Sequence, residues 1–334
     1  MAGERRLITA LSRIFGPPPA RVRRGIGEDT AILAPEPEQE LLWTIDTLIE
    51  GVHFDLRYTP LRSLGWKSLA VNLSDIAAMG GEPQYALLAL GWPPSRDLNQ
   101  ALALAQGMQE VAEAYGVAVI GGDTVAAPAG LTLSLTVIGQ VAPGRALRRD
   151  GAQVGDEIYV TGPLGLAAAG LEVLRHGMAL PIDRQESVTT AFFRPRPQIA
   201  AGRLLAGQRL ATAAIDLSDG VASDLEQVCL QSGVGAVLLA EALPIPPVVR
   251  EVACHLGYDP INLALQGGED YQLLFTARPE KRALLRTAFA QGGLPAPTSI
   301  GRLVAGVGIR LRRGEEEMEI AGTGFDHFPD ASLA

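Results

Sequence analysis

Acidic residues in this chain recur at one kind of place, where an apolar run with strand or helix spacing meets a turn, usually a glycine-rich one. The motifs are Gly27-Glu28-Asp29-Thr30, Thr44-Ile45-Asp46-Thr47, Asn72-Leu73-Ser74-Asp75, Gly121-Gly122-Asp123-Thr124, Asp216-Leu217-Ser218-Asp219-Gly220 and Gly267-Gly268-Glu269-Asp270. Singly, each has a bland reading: Asp219 as the N-cap of a following helix, Asp29, Asp46 and Asp123 as ordinary turn residues. Jointly they imply a fold of alternating strands and helices with charged loops between them.

Hydrophobic spacing supports that alternation. Leu7, Ile8, Leu11, Ile14 and Phe15 mark a short amphipathic helix stopped by Pro17-Pro18-Pro19. Strands are predicted at 30–34 and 41–45, a helix at 63–79, a buried strand at 85–90, a helix at 97–115 closed by Gly116, and strands at 117–120 and 131–141. Residues 142–156 mix Pro, Gly and charge between two apolar segments and mark a domain boundary. Beyond it come strands at 157–161, 211–215, 236–240 and 271–276, helices at 164–176 and 221–232, and a β-rich tail at 301–320. The expectation is an α+β protein of two α/β domains, 1–145 and 146–334.

Composition excludes several classes of function. With 47% hydrophobic residues over 334 positions the chain can bury a substantial core. A net charge of −9 argues against nucleic acid as a partner. No apolar stretch approaches the roughly 20 residues that span a bilayer, and the N-terminus has no signal-peptide core, so a cytoplasmic location is expected. Cys229 and Cys254 are the only cysteines; they lack zinc-site spacing and read as packing residues.

The acids point to phosphate chemistry. Asp46 and Asp216 each end an apolar run, so both carboxylates are expected to emerge at strand ends beside flexible turns. If the motifs converge, each like-charged pair about 4 Å apart costs on the order of 4 kcal/mol at an effective dielectric near 20. Bound cations relieve that cost. Oxygen ligands without His or Cys select Mg²⁺, Mn²⁺ or Ca²⁺, and Mg²⁺ is typically shared between carboxylates and substrate phosphates. Gly25, Gly27, Gly121 and Gly122 let backbone approach phosphate oxygens. Lys67 sits in Gly-Trp-Lys-Ser and Lys281 has no glycine beside it, so neither lysine belongs to a P-loop. No protein-kinase signature is present either, and the four histidines, at 53, 176, 255 and 327, are scattered.

Taken in order, the motifs resemble the thiamine-monophosphate kinase family, within the ATP-binding superfamily that includes aminoimidazole-ribotide synthetase and selenophosphate synthetase. The resemblance runs through GIGEDTAIL (25–33), TIDTLIEGVHFD (44–55), WKSLAVNLSDIAAMGGEP (66–83), GGDTV (121–125), RRDGAQVGDEIYVTG (148–162), IDLSDGVASDL (215–225), GGEDYQLLFT (267–276) and GFDHF (324–328). It implies that Asp29, Thr44, Asp46, Asp75, Asp123, Asp216 and Asp219 hold several Mg²⁺ ions. Tyr115, Gly122, Asp123, Arg149 and Ser218 would contact ATP, and His53, Glu269 and Phe325 would face thiamine monophosphate. It also implies a homodimer through the N-terminal domains. Two positions depart from the pattern: Glu28 stands where the family usually has Asp, and Phe325 where it often has Trp.

On this resemblance the acceptor is a phosphate oxygen, ionised at neutral pH, so no protein base or nucleophile is expected and catalysis is alignment plus charge neutralisation. Two rival readings are another ATP-dependent synthetase of the same superfamily and a non-catalytic nucleotide- or metal-binding protein. Both predict no thiamine diphosphate.

Overall fold

The computed structural model describes residues 4–17, 19–24, 26, 31–33 and 38–322. They divide into two compact units, one within Met1–Ile76 and Gly81–Gly144, the other within Ala77–Gly80 and Arg145–Ala334.

The first unit begins with α1 (Glu4–Phe15) and the short strands β1 (Val22–Arg24) and β2 (Ile32–Leu33). Then follow β3 (Glu40–Ile49), α2 (Leu61–Ala78), β4 (Glu82–Trp92), α3 (Leu98–Tyr115), β5 (Ala118–Ala126) and β6 (Thr132–Val141). The four longer strands form one sheet in the order β3-β6-β4-β5. Only β4 and β5 run parallel, joined by the α3 crossover that such a pair requires. In α3 the Asp97 carboxylate accepts the Gln100 N–H at 2.9 Å, while the Gln100 side chain accepts the Asp97 N–H at 3.1 Å. Gly116, at φ 69°, closes the helix in the left-handed conformation. A Cβ at Gly65 of α2 would lie 1.9 Å from the Leu104 carbonyl oxygen, and one at Gly107 of α3 would lie 1.7 Å from that of Arg62. Glycine at both positions lets the two helix backbones meet.

The second unit contains β7 (Glu157–Val160), α4 (Leu166–His176), α5 (Ile182–Phe193), α6 (Ile199–Gly207), β8 (Ala213–Asp216), α7 (Val221–Ser232) and β9 (Gly235–Leu239). After these come α8 (Pro247–Leu256), α9 (Pro260–Gln266), β10 (Leu273–Ala277), α10 (Arg282–Gln291), β11 (Thr298–Val304), β12 (Ile309–Arg313) and β13 (Glu316–Ile320). Seven strands form one sheet, β13-β12-β9-β11-β7-β10-β8. Ile158, Val160, Ile215 and Leu274 bury its centre with Leu225, Val228 and Val249 from the helices.

The mixed α and β architecture is as the spacing predicts. α1, α2, α3, α4 and α7 fall within about two residues of their expected bounds, whereas α5, α6, α8, α9 and α10 have no counterpart among the expected elements. β3, β4 and β5 are longer than predicted, and in β3 and β5 this has consequences for the acids they carry. β3 continues through Ile49, so Asp46 stands inside the strand, opposite Leu135 of β6, rather than at its end. β5 continues to Ala126, so Gly121-Gly122-Asp123-Thr124 is strand, not a turn after one. Cys229 is buried as expected; Cys254 is exposed, so it is not a packing residue.

Candidate active site

In the first unit, β3 alternates two kinds of side chain, as a pleated strand must. Leu41, Trp43, Ile45 and Ile49 are exposed, while Thr44 and Asp46 sit partly buried on the opposite face. The Thr44 hydroxyl donates to the Asp75 carboxylate of α2. One helical turn earlier, the fully buried Asn72 accepts the Asp46 backbone N–H on its Oδ1 at 3.1 Å and donates from Nδ2 to the Ser68 carbonyl at 3.1 Å. The amide of Asn72 thus fastens the edge strand at Asp46 to α2.

Asp123 reaches its position through a bulge. Ala86 pairs with Val119 and Leu87 with Gly121, leaving Ile120 as the extra residue on β5. Beyond it Gly122 adopts φ 154°, where a Cβ would lie 1.9 Å from the Leu88 carbonyl oxygen. Asp123 itself is exposed, and its carboxylate accepts the Thr124 N–H at 2.9 Å. At the bulge, Val119 and Ile120 line an open cleft of about 410 Å³ with Ser12, Arg13, Gly16, Pro17 and Ile26.

In the second unit the acids sit in two interlocked loops. Antiparallel pairing of β8 with β10 sets Asp216 opposite Leu273. The main chain keeps pairing past the strand ends: Leu217 N–H to Gln272 O at 2.8 Å, Tyr271 N–H to Leu217 O at 2.8 Å, and Glu269 N–H to Ser218 O at 2.8 Å. Glu269 and Tyr271 hold positive φ, 69° and 46°, a strained backbone of the kind that gathers at functional sites. Glycine is needed just before them, at 268, because a Cβ there would lie 2.3 Å from the Ser218 carbonyl oxygen.

Two further carboxyls secure these loops. Asp224, buried in the first turn of α7, accepts the N–H groups of Asp219 and Gly220 at 3.2 and 3.1 Å. The N-cap of α7 is therefore Gly220, not Asp219. Burial, and then the charges of Asp216 and Asp219, push the Asp224 carboxyl up to about 8. Asp270, partly buried, accepts the Gly165 N–H at 2.6 Å and the Ala167 N–H at 3.3 Å at the start of α4. Burial pushes this carboxyl up to about 7, against the opposing pull of those N–H groups.

The remaining expected positions are placed as follows. His53 forms a turn after β3, its Nδ1 accepting the Ile49 N–H at 3.0 Å. Tyr115 ends α3 and is partly buried. Arg149 is exposed in the segment before β7, and its carbonyl accepts the Ser232 hydroxyl at 2.8 Å. Ser218 is partly buried in the first of the two loops. Gly25, Gly27, Glu28, Asp29 and Phe325 lie outside the described residues. Among the described residues no three His, Cys, Asp or Glu side chains stand together as a ready-made cation cage. Asn72, Asp224 and Asp270 lie inside the sequence motifs, where nothing about the motif itself marks their role. Asn72 and Asp75 fall one helical turn apart, and Asp224 is an acid in a first helical turn, two signals that spacing makes visible.

Residues 27–141 match the family described as AIR synthase related protein, N-terminal domain, and residues 153–314 match AIR synthase related protein, C-terminal domain. Thiamine-monophosphate kinase of Salmonella typhimurium is 39% identical over 310 residues, covering 92% of this chain and 92% of that protein. The chain belongs to the thiamine-monophosphate kinase family. A solved thiamine-monophosphate kinase from Stenotrophomonas maltophilia superposes with a TM-score of 0.80 at 39% identity, over 93% of this chain and 96% of that one. Another solved structure, AaThiL complexed with AMPPCP and TMP, gives a TM-score of 0.77 at 32% identity, over 98% and 97% of the two chains.

Proposed function

We infer that this protein is a thiamine-monophosphate kinase, transferring the γ-phosphoryl group of ATP to thiamine monophosphate to give thiamine diphosphate and ADP. The observation that carries this is near-full-length similarity to kinases of that name. The AaThiL relative was solved with AMPPCP, an analogue of ATP, and TMP together. A relative holding a nucleotide and a phosphate-bearing acceptor supports direct transfer between them, the last step of thiamine diphosphate synthesis.

The acids fit Mg²⁺ by donor chemistry: the set of Asp29, Thr44, Asp46, Asp75, Asp123, Asp216 and Asp219 offers hard oxygens only. When bound, Mg²⁺ supplies the positive charge that lets two phosphate groups approach. The chain's own residues orient. Asn72 holds the Asp46 backbone, Thr44 holds the Asp75 carboxylate, and Asp224 holds the Asp219 loop. Tyr115, Gly122, Asp123, Arg149 and Ser218 are assigned to ATP, with the exposed Arg149 guanidinium suited to phosphate oxygens. His53, Glu269 and Phe325 are assigned to thiamine monophosphate, whose cationic thiazolium suits a carboxylate and an aromatic face. The acceptor phosphate is already ionised, so no protein base is needed.

The exposed stripe on β3 supports a homodimer through the first unit. Trp43 and Ile45 are 62% and 65% exposed beside Leu41 and Ile49 on an edge strand, a surface that a second copy would cover. Among the described residues no helix is long and apolar enough to cross a membrane, and we assign the reaction to the cytoplasm. The test is incubation with ATP, Mg²⁺ and thiamine monophosphate, with free thiamine as control. Thiamine diphosphate is expected only from the monophosphate. ADP release without it, or product from free thiamine alone, overturns the assignment.

A further inference from the structure

Asp270 closes a circuit of hydrogen bonds that the functional assignment does not use. Its two oxygens take the N–H groups of Gly165 and Ala167 at 2.6 and 3.3 Å, at the start of α4. Gly165, the N-cap residue of that helix, has no side chain to cap with. A carboxyl arriving from a distant loop therefore does the capping and meets the positive end of the helix dipole. The same loop carries Glu269 and Tyr271 with left-handed backbone, and its N–H groups at both residues are tied to Ser218 and Leu217. Such backbone persists only where the surroundings over-determine it. Main-chain bonds hold one side of the loop; Asp270 holds the other.

We propose that Asp270 is a positioning residue for the acceptor substrate: by anchoring the loop to the N-terminus of α4 it holds Glu269 in the conformation that presents its carboxylate to thiamine monophosphate. This rests on the assignment of Glu269 to that substrate. Gln272, two residues on, reinforces the anchor, because its Oε1 accepts the Thr161 hydroxyl at 3.0 Å while Leu273 N–H donates to that same hydroxyl at 2.9 Å. Residues 161–167 and 269–273 thereby form one braced unit.

The test is steady-state kinetics of D270A, D270N, E269A and the double variant, with each substrate varied in turn and thermal melts as a control for folding. D270A should raise KM for thiamine monophosphate about tenfold or more, as expected for losing charge-assisted hydrogen bonds, with KM for ATP within about twofold. D270N keeps an acceptor for one N–H and should recover part of the loss. On an E269A background D270A should have little further effect, because both changes act through one carboxylate. If E269A shifts KM for thiamine monophosphate and D270A does not, or if D270A shifts both substrates alike, the positioning role is overturned while the Glu269 assignment stands. If E269A leaves that KM unchanged, the Glu269 assignment fails and the role of Asp270 with it.

Discussion

The two units hold their acids by different means. In the first, Asp46 and Asp75 stand on a regular strand and a regular helix, and side chains do the fixing: the Asn72 amide on the Asp46 backbone and the Thr44 hydroxyl on Asp75. In the second, Asp216, Asp219 and Glu269 stand at a strand end and in loops, where a main-chain ladder outlasts the strands and the Asp224 and Asp270 carboxyls tie the loops down from outside it. Side-chain fixing leaves backbone geometry ordinary. Main-chain fixing is paid in strain, seen as positive φ at Glu269 and Tyr271. Acids on regular elements need partners to orient them, whereas acids in loops need the loop itself to be stiff.

The largest effects should come from the acids themselves. Asp46→Ala and Asp216→Ala, one from each unit, should each lower kcat by about a thousandfold or more while circular dichroism stays unchanged. An Asp46→Ala protein with near-normal turnover would remove the first unit from the metal assignment. Next in size is Gly268→Ala. A Cβ there would lie 2.3 Å from the Ser218 carbonyl oxygen, so the paired loops must separate. We expect a loss of about 1–3 kcal/mol in unfolding free energy by denaturant titration, with a matching fall in kcat/KM.

Asn72→Ala sharpens the contrast from the other side. It leaves the Asp46 N–H without its partner at the sheet edge, for a cost of about 1–2 kcal/mol. Its effect on kcat should exceed its effect on KM for thiamine monophosphate, the reverse of the pattern expected for loss of the Asp270 anchor. Equal patterns in the two variants would erase the distinction between the units.

A smaller effect is a pH dependence of stability from the second unit. Burial holds the Asp270 carboxyl up at about 7 against an ordinary value of 3.8. Between those two values the unfolded chain has released this proton and the folded chain keeps it. The contribution of Asp270 to stability therefore falls as pH rises through that window and levels off above it. Asp270→Asn lacks the titration, so its Tm relative to the parent should climb from pH about 4 to about 7. A constant difference in Tm would show that the Asp270 carboxyl is not displaced.

How much of this was legible in the sequence follows the same division. Asp216 was correctly read at a strand end, because the apolar run stops there and glycine follows at Gly220. Asp46 was misplaced because β3 is an edge strand with Trp43 and Ile45 exposed; its alternation with Thr44 and Asp46 looks, in sequence, like a short apolar run that ends. The bulge at Ile120 is invisible because it depends on pairing with β4, not on local residues. α3 and α7 were legible from amphipathic spacing and terminal glycine. The role of Asp270 is hidden because it needs a contact more than a hundred residues away, whereas that of Asp224 needs only a five-residue reach back from a first helical turn.

The central claim is direct phosphate-to-phosphate transfer, and isotopic labelling tests it most directly. With ATP labelled in its γ-phosphoryl group, Mg²⁺ and thiamine monophosphate, the label should appear in the terminal phosphate of thiamine diphosphate, in step with ADP. Label in inorganic phosphate, or in a product made from free thiamine alone, would contradict it.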